Sequence, residues 1–163
     1  MRIGVVSDTH IPDRASGLPR NLCEGLAGVD MIINAGDLVE MEVLAALRQI
    51  CPDVRGVAGN MDCAELRGQL PQKLLIKAGK FTIGVCHGCG APQGLPEMMR
   101  RMFKKDPVDL IVFGHSHQPA VIKEGFPWLF NPGSPTDTVF APYKSFGIIE
   151  IGDTMELYIV RLT

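Results

Sequence analysis

No run of apolar residues in this chain approaches the ~18 that a bilayer-spanning helix needs, and the apolar stretch that opens it, Ile3 to Val6, is too short for a secretory signal. A cytoplasmic protein with no membrane partner is therefore the expectation. An excess of either charge is also missing. The 16 Lys and Arg against 18 Asp and Glu leave a formal net charge of −2, so no basic field exists to hold a nucleic-acid backbone, and no nucleic-acid partner is expected. Cysteine is sparse and odd in number, at five residues. A chain of 163 residues can bury a core without staples, and cytoplasmic thiols stay reduced, so disulfides are not expected. Cys86-His87-Gly88-Cys89 has no second Cys pair to complete a zinc ribbon, and the glycine-rich stretch Gly88 to Gly94 lacks the Gly-Lys-Ser/Thr of a phosphate loop. Repeats, low-complexity tracts and linkers are absent as well, which leaves one domain over residues 1–163 as the simplest organisation.

Among what is present, 46% hydrophobic and 21% charged residues mark an ordinary globular composition. Short β-branched runs ending in Gly or Asp recur at Ile3 to Ser7, Met31 to Ala35, Val54 to Ala58 and Leu110 to Phe113, and read as buried strands. Helical patterns separate the first three, over Leu18 to Ala27, opened by Pro19 near its first turn, and over Met41 to Ile50, stopped by Pro52. Alternation of this kind implies a parallel βαβ core. Lys73 to Lys77 and Phe81 to Cys86 flank Ala78-Gly79-Lys80 as a hairpin, and a third helix is expected over about Leu95 to Lys105. The remaining strands, Ala120 to Lys123, Trp128 to Phe130, Ser145 to Ile151 and Met155 to Leu162, read as a β-meander. Two sheets and the helices to cover them suggest a layered α/β sandwich.

The chain has only four histidines, and every one lies in a turn after a strand: His10 in Asp8-Thr9-His10, His87 in His87-Gly88, and the last two in His115-Ser116-His117. Gly36-Asp37 and Asn60-Met61-Asp62 follow two further strands. If the extended geometry persists, residues two apart project to one side, so Asp8 with His10, Asn60 with Asp62, and His115 with His117 each face one way. A lone Asp or Asn at such a place is ordinarily a turn former or helix cap. Their joint placement points instead to metal chemistry, because the C-terminal ends of parallel strands open onto one crevice.

In this order, Asp8-x-His10, Gly36-Asp37, Gly59-Asn60-x-Asp62, His87-Gly88 and Gly114-His115-x-His117 resemble the signature of the calcineurin-like metallophosphoesterases, in particular their small single-domain branch. Asn131-Pro132-Gly133-Ser134 also resembles a loop of that branch. The resemblance spans residues 8 to 117 and implies an α/β fold, a four-layer αββα sandwich of two mixed β-sheets flanked by helices. It further implies one divalent ion held by Asp8, His10, Asp37 and His117, and a second by Asp37, Asn60, His87 and His115, with Asp37 as the bridge. Nitrogen and oxygen donors without thiolate suit Mn²⁺, the favoured ion, or Ni²⁺, Fe²⁺, Co²⁺ or Zn²⁺. Asp62 is expected to orient a ligand or a proton donor rather than to bind metal.

The implied activity is hydrolysis of a small phosphate ester by in-line attack of a hydroxide held between the two ions. Many phosphatases of the superfamily carry a histidine directly after the Asn, as general acid; this chain has Met61, which has no proton to give. A phosphodiesterase is accordingly favoured over a phosphomonoesterase. A non-catalytic scaffold on the same fold is the rival, since the family includes a retromer subunit that binds partners, and a homo-oligomer is compatible with the sequence. Nuclease activity is disfavoured by the acidic balance. Arg14 and the basic stretch Arg100 to Lys105 remain minor candidates for meeting phosphate.

Overall fold

The computed structural model describes residues 1–163. Ten strands form two five-stranded sheets. The first contains β1 (Arg2–Val6), β2 (Met31–Asn34), β3 (Val54–Gly56), β9 (Ser145–Ile151) and β10 (Met155–Arg161), in the order β10-β9-β1-β2-β3. The second contains β4 (Lys73–Ala78), β5 (Phe81–Cys86), β6 (Leu110–Val112), β7 (Ala120–Ile122) and β8 (Trp128–Asn131), in the order β4-β5-β6-β8-β7. Both are mixed: β1, β2 and β3 run parallel in one, β5, β6 and β8 in the other, with antiparallel strands outside them.

Period-2 patterning decides which face each side chain takes. Ile3 and Val5 of β1, Met31 and Ile33 of β2, Ile83 and Val85 of β5 and Leu110 and Val112 of β6 meet in a buried layer between the sheets. The opposite faces are covered by helices. Leu22 and Leu26 of α1 (Arg20–Leu26), Val43, Leu44 and Leu47 of α2 (Met41–Ile50) and Leu66 of α3 (Ala64–Gln69) pack with Val6, Ile32 and Ile148 outside the first sheet. Leu95 and Met99 of α4 (Leu95–Met102) pack with Ile111 and Leu129 outside the second. Gly4 permits this approach, because a Cβ there would collide with Leu26. The result is the expected αββα layering, and no helix is long and apolar enough to cross a membrane.

Two expectations need correction, and one element was not expected. The C-terminal strands are not a meander: β8 pairs in parallel with β6, β7 folds back on β8, and β9 and β10 join the other sheet. Strand runs reveal length and facing but not partners, and the irregular chain between Asn131 and Ser145 carries β9 across to β1. The six-residue α3 was not foreseen, since a single buried Leu66 leaves no periodicity to read. Pro19 opens α1 as its N-cap, and α4 stops at Met102, short of the expected Lys105.

Candidate metal centre

Five parallel strands deliver the sequence-selected residues to one place. β1 leads into Asp8 and His10, β2 into Asp37, β3 into Asn60, β5 into His87 and β6 into His115 and His117. Local conformation differs from the expected extended continuation. Asp8 (φ 56), His10 (φ 43), Asp37 (φ 56), Val39 (φ 85), His115 (φ 70) and His117 (φ 58) all occupy the left-handed region. Each such non-glycine residue costs about 1–3 kcal/mol and persists only where the surroundings over-determine it. The turns that aim these side chains are therefore imposed by tertiary contacts, and strand alternation does not produce them.

Those contacts can be named. The carboxylate of Asp62 accepts the Val39 N–H at Oδ1 and the Gly59 N–H at Oδ2, both at 2.7 Å, tying the Asp37 loop to the Asn60 loop. Asp8 accepts the Ser7 hydroxyl at 2.7 Å and the His115 N–H at 3.1 Å. The Ser134 hydroxyl donates to the Asp8 carbonyl at 2.7 Å, and the Asn131 amide donates to the Gly114 carbonyl at 3.1 Å, so the Asn131–Ser134 loop braces two of these turns. Gly59 is required by crowding, since a Cβ there would overlap the Asp37 carboxylate.

The ring nitrogens show which atoms the cluster turns inward. His87 Nδ1 lies 2.7 Å from the Ala35 carbonyl, His117 Nδ1 2.6 Å from Asp137 Oδ2, and His115 Nε2 3.1 Å from the Gly90 carbonyl. Each of these partners only accepts, so each of these nitrogens carries a proton, and the other nitrogen of each ring is the one turned toward the cluster. His87 Nε2 then faces Asp37 Oδ2 at 3.1 Å and Asn60 Oδ1 at 3.1 Å. His115 Nδ1 faces the same Asn60 oxygen at 3.2 Å, and His117 Nε2 faces Asp8 Oδ1 at 3.5 Å and His10 Nε2 at 3.2 Å. Lone pairs pointed at lone pairs repel unless protons or cations lie between them, and this donor set fits divalent metal ions.

Two compact groups could each hold an ion: Asp8, His10 and His117, and Asp8, Asp37 and His87. Asp8 is common to both, and Asp37 Oδ2 lies 3.4 Å from His10 Nε2 and 3.1 Å from His87 Nε2. Without metal, protons must compensate. Burial acts to lower the His87 pKa, but the carboxylates of Asp37 and Asp8 outweigh it and push the ring up to about 9. Burial raises Asp37 too, yet its bonds to His87 and the Met61 N–H hold it below the usual carboxylate range. For Asp8 burial prevails over the lowering influence of His87 and His117, and its carboxyl rises. Burial likewise dominates at His10 and lowers its pKa.

Residues 1–154 match the family model described as the calcineurin-like phosphoesterase superfamily domain. The chain belongs to that superfamily. It is 38% identical over 136 residues to a probable metallophosphoesterase of Methanothermobacter thermautotrophicus, covering 83% of this chain and 78% of the relative. It is 36% identical over 163 residues to a probable metallophosphoesterase of Methanocaldococcus jannaschii, covering 99% and 82%. Among solved structures it is similar to Vps29 of Chaetomium thermophilum, with a TM-score of 0.87 at 26% identity over 99% of this chain and 89% of that one. It is also similar to Vps29 of Entamoeba histolytica complexed with Zn²⁺, with a TM-score of 0.80 at 26% identity over 99% of each chain.

In this calcineurin-like chain the cluster opens into a cleft of about 590 Å³ lined by His10, Arg14, Asp37, Asn60, Met61, His115, His117 and Phe140, among others. Sequence reading missed Asp137, which is fully buried and receives N–H bonds from Val139, Phe140 and Ala141 besides the His117 ring. Burial acts to raise its pKa, but these donors outweigh it and hold the carboxyl at about 2. No motif surrounds Asp137, and its only sequence signal is an Asp in the Pro- and Ser-rich stretch after β8. Arg14 does reach the cleft, 3.6 Å from Asp137 Oδ1. The basic stretch does not: Arg100 donates to the carbonyls of Glu124 and Pro127, and Arg101 pairs with Glu97. All five cysteines are free, and burial pushes the Cys86 thiol up to about 12, which keeps it inert.

Proposed function

We propose that this chain is a dinuclear metal-dependent phosphodiesterase acting on a small phosphate ester. The observation that carries the reading is the convergence of oxygen and nitrogen donors from seven side chains on one cluster that opens into the cleft, a donor set that suits divalent cations. Asp8, His10, Asp37 and His117 would hold one ion and Asp37, Asn60, His87 and His115 the other, with Asp37 between them. When bound, two such ions lower the pKa of water to make a nucleophile and clamp the phosphoryl oxygens in an in-line displacement. The chain's own contribution is orientation. The Ala35 and Gly90 carbonyls fix the tautomers of His87 and His115, Asp137 fixes that of His117, and Asp62 anchors the loops that carry Asp37 and Asn60. Two carboxylates against two divalent ions leave net positive charge for an anionic substrate.

The preference for diesters rests on Met61. It stands at the cleft rim, 52% exposed, where a proton donor to the leaving group would serve a monoester. A diester with an acidic leaving group needs no such donor. Mn²⁺ is the ion we favour, on donor type. The likeness to Vps29 supports a second reading, a non-catalytic scaffold that keeps the metal ligands.

Hydrolysis of bis(p-nitrophenyl) phosphate and of p-nitrophenyl phosphate, each with Mn²⁺ and with excess chelator, separates these readings. Chelator-sensitive turnover that favours the diester is expected. Preference for the monoester would overturn the diester assignment, and no turnover with any of the five metals would favour the scaffold.

A further inference from the structure

Phe140 has an exposure that packing does not explain. It lies in the irregular segment before β9, and it is 61% exposed, as its neighbour Val139 is at 67%. Yet it is not a surface residue placed at random, because it lines the metal cleft. Its ring stands edge-on to His117 at 5.9 Å between centroids, and the Arg14 guanidinium carbon lies 5.7 Å from its centroid. Its backbone is also fixed: the Phe140 N–H donates at 3.0 Å to Asp137 Oδ2, the oxygen that receives the His117 ring proton. One buried carboxylate thereby sets the distance between a candidate metal ligand and an exposed aromatic ring.

Arg14 completes the arrangement. Its 3.6 Å contact to Asp137 Oδ1 is a loose ion pair, and its side chain is 33% exposed in the cleft. A guanidinium carries five N–H donors in a fixed fork, so most remain free for an anionic oxygen. Arg14 and Phe140 thus set a phosphate-matching charge beside an aryl-matching face, both next to the candidate metals.

Resting on the reading of the cleft as a phosphoester site, we propose that Arg14 and Phe140 form a specificity subsite for phosphate esters with a planar aromatic group: Arg14 meets a phosphoryl oxygen and Phe140 packs against the ring. Aliphatic esters would gain only the first contact. Paired aromatic rings then favour the aryl ligand by about two- to tenfold.

The test is equilibrium binding, so it does not depend on turnover. Dissociation constants for phenylphosphonate and methylphosphonate are measured by calorimetry on the Mn²⁺-loaded full chain, for the unaltered protein, Phe140→Ala and Arg14→Gln. The unaltered protein should bind phenylphosphonate about two- to tenfold more tightly than methylphosphonate. Phe140→Ala should bring that ratio close to one by weakening phenylphosphonate more than methylphosphonate, and Arg14→Gln should weaken both ligands alike. A ratio near one in the unaltered protein, a ratio that survives Phe140→Ala, or failure of both phosphonates to bind would overturn the proposal. Absence of diester hydrolysis with the phosphonate ratios as expected would instead defeat the catalytic reading and leave the subsite standing.

Discussion

Asp137→Asn removes one charge and almost no volume, and the structure says where the damage goes. Both carboxylate oxygens act only as acceptors: Oδ1 from the Val139 N–H at 2.9 Å, and Oδ2 from the His117 ring at 2.6 Å and the Phe140 N–H at 3.0 Å. An asparagine amide turned either way sets its NH₂ against one of these donors. The mismatch should destabilise the fold by about 1–3 kcal/mol, a fall of several degrees in Tm for a chain of this size. If His117 swings or changes tautomer, its Nε2 no longer faces Asp8, and loss of such a supporting partner typically weakens metal binding about 10- to 100-fold. Calorimetric titration with Mn²⁺ measures this directly. In a His117→Ala background Asp137→Asn should add little further loss, because the carboxylate acts through that ring. An affinity unchanged by Asp137→Asn, or one reduced by the same factor in both backgrounds, would refute the reasoning. The pH dependence has a definite sign. A folded pKa of about 2 lies below the unfolded value of ~3.9, so the Asp137 contribution is complete above that unfolded value and is lost as pH falls through about 2. The Asn variant should lack this component of acid unfolding.

Asp37→Asn should abolish paired-metal binding and diester turnover together; unaffected turnover in that variant would defeat the bridging role of Asp37. Metal uptake should release protons, because His87 is charged at neutral pH with a pKa of about 9 and must give up its Nε2 proton to bind an ion. Mn²⁺ affinity should accordingly rise between pH 7 and 9, with proton release read from calorimetry in buffers of different ionisation enthalpy. The metal-free protein should behave oppositely in stability: the raised His87 pKa contributes fully below the unfolded value of ~6.5 and that contribution fades as pH climbs through about 9.

The sequence by itself determined the composition of the site and the layer count. Four histidines, all in turns after apolar runs, mark out a cluster of candidate metal ligands. Alternating residues such as Ile3 and Val5 against Val6 announce a sheet buried on both faces. Tertiary structure alone decided the rest. Which strands pair, and that β9 returns to β1, depends on contacts between residues more than a hundred positions apart. The left-handed turns at Asp8, His10, Asp37, His115 and His117 are uncommon even for Asp and His, the types that best tolerate them, so strand alternation did not forecast them. Asp137 and Phe140 entered the site for the same reason. Neither belongs to a motif, and each gains its role only when the segment before β9 folds over His117, where one carboxylate can reach the ring, the Phe140 backbone and Arg14 at once.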